Sequence, residues 1–372
     1  MNKRNFIFPD FSNSNLNISS TLAEFLGVKN KNPTIPILEE ELKKDYKNVV
    51  FICFDGLGIY PLKQNLSKND LFMRNIKRTL VSTFPSTTTN ATTSLLTNTV
   101  PLFHGWFGWS LHFKNINRNV DIYTHNDSWS GSKVDSSKLN LDKPRYYFDE
   151  EGNGKYQINT VFPNYVVVEN PNRNNVFTTN EDFFDKIINV CNKNGKQFCY
   201  AYNPEPDHTM HEVGVTTKET KDLIYKLQSG VEKILSSTKD TLLIISADHG
   251  QIDVKGYVEF YKDKKLLDML KIYPYLDSRS PAFIVKEGLS EKFENYFTSK
   301  YGRDFELHKT DELVEKGFFG NVGDKRDWLG DYIAIGTYTY KQGLLTEKSH
   351  RFKGHHTSLT EEMEVPLIIV NS

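Results

Sequence analysis

The sequence predicts an α/β fold, with a mostly parallel central sheet flanked by helices and an inserted cap subdomain. Two observations predict it. Short apolar runs at 49–54, 165–168, 198–202, 241–247, 281–285, 332–335 and 365–370 read as buried strands. The first is apolar throughout, as expected of a strand covered on both faces. Helical patterns over 181–192 and 218–235 precede the runs at 198 and 241, the alternation that βαβ units produce.

Two stretches interrupt this rhythm. Residues 108–157 are rich in Asn, Ser, Asp, Lys and aromatics with weak periodicity, and residues 256–350 are longer and mixed. The expectation is one domain over 1–372, with 256–350 leaving the sheet as a cap and returning. Residues 1–45 read as a peripheral N-terminal arm, in which Ser19-Ser20 cap a short helix ending near Gly27 and a polar, Pro-containing linker follows.

Length and charge narrow the function. A chain of 372 residues can bury a large core, and its net charge of -1 carries no basic excess for a nucleic-acid duplex. Cys53, Cys191 and Cys199 suit a reducing compartment better than a disulfide framework. The N-terminus lacks the apolar core of a signal peptide, and no run reaches membrane-spanning length. A cytoplasmic enzyme without a membrane partner is the expectation.

Four acidic or histidine clusters sit where strands stop: Asp55 in DGLG, Asp207 to His211 in DHTMH, Asp248-His249, and His355-His356. The carboxyl ends of a parallel sheet are where an open α/β fold gathers ligands. Each cluster has an ordinary alternative. Asp55 before Gly reads alone as a turn residue, and Asp248-His249 as a turn Asp beside a surface His. On a helix, Asp207 and His211 at i and i+4 share a face and can chelate one ion or simply pair with each other. One of His355 and His356 reads as a ligand and the other as its neighbour. Together the clusters offer three carboxylates and at least three imidazoles, the donors two divalent cations need. His104, His112, His125, His208, His308 and His350 read as structural or surface residues.

The segment 82–105 adds a hydroxyl. Ser86-Thr87-Thr88-Thr89 reads as a helix start, either an ordinary N-cap or a place where unpaired N–H groups and the helix dipole favour an anion. A threonine hydroxyl there, beside a metal, can serve as a nucleophile.

Taken together, these motifs resemble the alkaline phosphatase superfamily, in its type I phosphodiesterase/nucleotide pyrophosphatase branch, from Val49 to Val370 and in the family's order. The resemblance implies an alkaline-phosphatase-like fold and two divalent ions, Zn2+ first and Mn2+ as the alternative. It assigns Asp207, His211 and His356 to one metal, with His356 placed three residues before Leu359. It assigns Asp55, Asp248 and His249 to the other, together with the nucleophile. Counting back from Thr97-Asn98 through His104-Gly105 gives Thr88 as that nucleophile, with Thr87 and then Thr83 as fallbacks. The chain departs from the family in three places. Asn98 replaces a glycine, Thr357-Ser358 replace Gly-Gly, and Asn90 lies out of register with the family's phosphate-binding asparagine.

The implied function is metal-dependent hydrolysis of a phosphodiester or phosphoanhydride through a phosphothreonine intermediate. The substrate would be a small phosphate ester, a nucleotide being one candidate. Phe103, Trp106, Phe107 and Trp109 can stack on a base or pack beneath the insertion. The alternatives are a phosphomonoesterase or phosphate mutase, for which Arg279 and Arg326 are the candidate extra cations, and a non-catalytic metal-binding module. A sulfatase is disfavoured because no cysteine begins a Cys-x-Pro-x-Arg segment and a threonine cannot become formylglycine.

Overall fold

Residues 6–166 and 173–372 are described by a computed structural model. The apolar run at 49–54, expected to be buried on both faces, lies with the runs at 198–202 and 241–247 in the middle of a six-stranded sheet. Its order is Ile76–Val81, Glu364–Asn371, Thr241–Ser246, Asn48–Phe54, Gln197–Asn203, Gln157–Val161. The last four named are mutually parallel. Only Glu364–Asn371 runs against its two neighbours, so the 365–370 run is an antiparallel strand within the otherwise parallel sheet. Every residue of Asn48–Phe54 and Thr241–Ser246 is buried.

Helices Asn180–Cys191 and Lys218–Ser237 cover one face, capped by the Thr179 and Thr217 hydroxyls, which accept from the Asp182 and Thr220 amides. Phe183, Phe184 and Ile187 on the first, and Ile224, Leu227, Val231 and Ile234 on the second, join the main core. A side-chain carbon at Gly230 would lie 2.1 Å from the Phe184 ring, so glycine is what lets the two helices close.

The second sheet has seven strands and is antiparallel. It draws Ser110–Phe113, Arg118–Asp121 and Asn126–Asp127 from the first irregular stretch, and Tyr275–Leu276, Pro281–Phe283, Phe305–Lys309 and Tyr332–Gly336 from the second. The runs at 281 and 332 therefore belong to this second sheet rather than to the parallel one. Both irregular stretches contribute to it, because strands this short are stable only when paired into a wider sheet.

Four expectations are corrected. The run at 165–168 is no strand in its described part: Tyr165 is exposed in a turn, and residues 167 and 168 lie outside the described residues. The edge strand is Gln157–Val161 instead. Ser19 and Ser20 do not cap a helix but lie buried inside Leu16–Phe25. That helix is not peripheral, since Leu16, Ile18 and Leu22 are fully buried and the Ser19 hydroxyl donates to the Leu95 carbonyl at 2.5 Å. The supposed linker holds a further helix, Pro36–Leu42.

Candidate metal centre and active site

Asp55, Asp207 and Asp248 follow the carboxyl ends of three adjacent strands, Asn48–Phe54, Gln197–Asn203 and Thr241–Ser246. Backbone bonds lock these loops together: the Asp55 amide donates to the Asn203 carbonyl at 2.9 Å, and the Asp207 amide to the Asp55 carbonyl at 3.0 Å. Gly56 has φ +71°, and a side-chain carbon there would lie 3.0 Å from the Asp207 Cβ, so the approach of the two loops needs glycine. Its amide donates to Asp248 Oδ1 at 3.1 Å.

Asp207 begins helix Asp207–Val213, which puts His211 one turn away on the same face, its Nε2 3.2 Å from Asp207 Oδ2. His356 follows the two-residue strand Gly354–His355, paired with Ile252–Asp253 just beyond His249. This ribbon returns the chain across a separation of about a hundred residues. His356 Nε2 lies 3.7 Å from Asp207 Oδ1, and the His249 and His356 rings stack at 3.9 Å.

The donor atoms fall into three overlapping groups, each within 4.8 Å: Asp55, Asp248 and His249; Asp207, His249 and His356; and His211, His355 and His356. All six predicted protein ligands are thus gathered in one place. Histidine orientation is consistent with metal binding. The Nδ1 atoms of His211, His249 and His356 face the carbonyls of Gly354, Gly250 and Ser86 at 2.8, 2.9 and 3.0 Å. Donating Nδ1–H there leaves each Nε2 lone pair for a cation. Asp248 Oδ2 is fully buried with no hydrogen-bond partner, another lone pair without a use inside the protein.

The electrostatics point the same way. Burial pushes Asp55 well above the usual carboxylate range, with the charges of Asp248 and Asp207 adding to it. Asp248 is raised as well, chiefly by burial. Burial also acts on Asp207, but His211 outweighs it by charge and hydrogen bond and brings it down to about 2. Burial and the neighbouring imidazoles hold His355 and His356 well below their usual range, keeping them neutral donors. Three buried carboxylates facing one another create a demand for positive charge that divalent cations fit.

The candidate nucleophiles are sorted by their partners. Thr88 is the first residue of helix Thr88–Thr97, and its hydroxyl is 3.3 Å from Asp55 Oδ2 and 3.2 Å from His249 Nε2. The Thr87 hydroxyl instead donates to Asp277 Oδ2 at 3.1 Å, and the Thr83 hydroxyl is buried without a partner. Asn90 gives its amide to the Pro85 carbonyl at 2.8 Å.

Arg279 and Arg326, the candidate cations for a monoester, are both engaged. Arg279 is fully buried against Glu362, and Arg326 binds Asp311 and the Gly330 carbonyl. The aromatic run divides: Phe107 is buried against Phe319, whereas Phe103 and Trp109 are exposed.

Some site residues carry no motif. The Tyr202 hydroxyl donates to Asp55 Oδ2 and the Gln251 amide to Asp207 Oδ1, both at short range. Tyr202 ends a predicted strand and Gln251 closes the segment ADHGQ, so position alone marked them. Asp277 reaches the site from the second sheet, directly after Tyr275–Leu276, and was invisible in sequence. Burial raises it to about 6 despite hydrogen bonds from Ser278, Thr87 and Trp109. An acid whose folded pKa is raised favours folding while protonated and costs stability as pH rises through the folded value. The metal-free protein should therefore lose on the order of 2–3 kcal/mol between about pH 4 and pH 6 from this group. Denaturant titrations of Asp277→Asn against the unmodified chain, in chelator, should show that loss removed; equal pH slopes would contradict it.

Comparison with known proteins now adds a family. No curated protein matches the sequence at a significant level. Among solved structures, murine ectonucleotide pyrophosphatase / phosphodiesterase 5 superposes with a TM-score of 0.64 at 17% identity, over 87% of this chain and 88% of that one. Its inactive threonine-to-alanine variant in complex with AMP gives 0.65 at 16%, over 87% of each chain. Phosphonoacetate hydrolase from Sinorhizobium meliloti 1021, in complex with phosphonoacetate, gives 0.63 at 14%, over 86% of this chain and 89% of that one. These likenesses establish the fold. The model of the type I phosphodiesterase / nucleotide pyrophosphatase family matches residues 49–294, a span that takes in Asp55, Thr88, Asp207, His211, Asp248 and His249 and stops short of His356. With well over half of its length matched, the chain belongs to the type I phosphodiesterase / nucleotide pyrophosphatase family.

Proposed function

We propose that the protein hydrolyses phosphodiester or phosphoanhydride bonds of a small phosphate ester, with Thr88 as the nucleophile and two divalent cations, Zn2+ first and Mn2+ as the alternative. The single observation that carries this reading is the Thr88 hydroxyl, set at a helix start between Asp55 and His249. Asp207, His211 and His356 would hold one cation, and Asp55, Asp248 and His249 the other. Bound there, the cations would lower the pKa of the Thr88 hydroxyl and offset charge on the phosphoryl oxygens.

The bond from Thr88 Oγ1 to phosphorus forms as the bond to the leaving oxygen breaks, the hydroxyl proton passing through solvent to the leaving oxygen, giving a phosphothreonine. Water then attacks the same phosphorus, releasing the product and restoring the hydroxyl. The start of the helix at Thr88 would offer first-turn amides to that phosphoryl group. Engagement of Arg279 and Arg326 elsewhere removes the two cations considered for the extra charge of a monoester, which favours a diester. The murine phosphodiesterase variant in complex with AMP and the hydrolase in complex with phosphonoacetate make small phosphorus esters and acids the class to test first. The three buried cysteines suit action in the cytoplasm.

Elemental analysis of active protein should find two divalent ions per chain, and chelation should abolish activity. Fewer than one ion per chain would sink the reading. On bis-p-nitrophenyl against p-nitrophenyl phosphate, kcat/KM should favour the diester. A monoester advantage of about tenfold, roughly 1.4 kcal/mol in the transition state, would reverse the assignment.

A further inference from the structure

We propose that His355 is a further metal ligand, so that the cation held by His211 and His356 is bound by three imidazoles; this rests on the two-cation reading above. The family resemblance assigns a role to only one histidine of the His355-His356 pair. The structure brings one ring nitrogen from each of His211, His355 and His356 within 4.8 Å of the others. The His355 ring lies 4.8 Å from that of His356 and 5.3 Å from that of His211.

Its hydrogen bonding sets His355 apart. The other three histidines of the cluster each turn Nδ1 to a backbone carbonyl, whereas His355 is 4% exposed and neither of its nitrogens has a partner. A neutral imidazole carries one donor and one acceptor, and burying both unmade costs the desolvation of each. A cation among the three rings would take the acceptor lone pair. The carboxylate of Asp277 lies 3.8 Å from His355 Nε2, too far for a hydrogen bond.

The backbone keeps the ring there. His355 pairs with Ile252, and the Phe352 ring packs against its imidazole with ring centres 5.1 Å apart. A histidine that merely filled space would need no such aim, and an apolar residue would fill it without unpaired nitrogens.

Zinc titration of the metal-stripped full chain, with elemental analysis and thermal melting, tests the assignment. The unmodified protein should take up two ions. His355→Ala and His355→Gln should keep one at unchanged affinity and bind the other at least about tenfold more weakly, since even outer partners of a ligand are worth that much. Without metal both variants should melt at or above the unmodified chain, and the rise in Tm on adding zinc should shrink. A packing role would instead lower the metal-free Tm and leave zinc affinity intact, and that overturns the proposal. So does binding of both ions with unmodified affinity by either folded variant. Uptake of fewer than two ions by the unmodified chain would instead overturn the two-cation reading, and this inference with it.

Discussion

Thr88→Ala is expected to keep its metal ions and its fold while losing about three orders of magnitude or more in kcat. The side chain is partly exposed and at the first turn of a helix, so its removal leaves no cavity in the core. What it removes is the hydroxyl placed between Asp55 and His249. Thr88→Ser keeps a hydroxyl at the same position and should retain measurable turnover. Steady-state kinetics with metal content measured on the same samples decides the matter. An inactive Thr87→Ala or Thr83→Ala beside an active Thr88→Ala would move the nucleophile. The geometry argues against that, because Thr87 is turned to Asp277 and Thr83 is enclosed.

Arg279→Ala should destabilise the protein by about 3–5 kcal/mol, the cost of leaving one member of a buried ion pair without its partner. Both Arg279 and Glu362 have fully buried side chains, joined at 3.0 Å through Arg279 Nε. The guanidinium also donates to the Lys341 carbonyl at 3.0 Å, and Glu362 Oε1 accepts from the Ser358 amide at 3.1 Å. This pair ties the turn between Tyr275–Leu276 and Pro281–Phe283 to the residues just beyond His356, and the Glu362 carbonyl takes the Gly250 amide beside His249 at 2.7 Å. Urea denaturation measures the loss. The double replacement Arg279→Met with Glu362→Leu should be milder than Arg279→Ala, because no charge is then left unpaired. A loss below about 1 kcal/mol for Arg279→Ala would show that water reaches Glu362.

The parallel core and the principal donor set were legible because both depend on local pattern. A run such as 241–247 is apolar enough to be only a buried strand, and Asp248-His249 directly follows it. Asp207 and His211 needed only the helical period to share a face. What stayed hidden depends on distant partners. Ile76–Val81, with IKRTLV, carries too many polar residues to announce a strand, and it pairs only because Glu364–Asn371 supplies an edge. The direction of that last strand cannot be read from its apolar character, which is the same for either orientation. Ser19 and Ser20 resemble cap residues, yet their hydroxyls bond to Leu95, Leu16 and Asn98 inside the core. Asp277 and the orientation of His355 are set by the meeting of the two sheets, more than 20 residues from any strand-end motif in the case of Asp277.

The second sheet has a seam. Its two portions, from either side in sequence of the strands Gln157–Val161, Gln197–Asn203 and Thr241–Ser246, join where Leu276 pairs with Ser110 and the Leu276 amide donates to the Ser110 hydroxyl at 3.2 Å. This sheet is therefore not a cassette. Transplanting residues 256–350 from a relative would leave Ser110–Phe113 facing a foreign edge, and an unmatched strand edge invites pairing between chains. Exchange of substrate range by recombination must carry both insertions together, or keep the seam and vary only the turns around it.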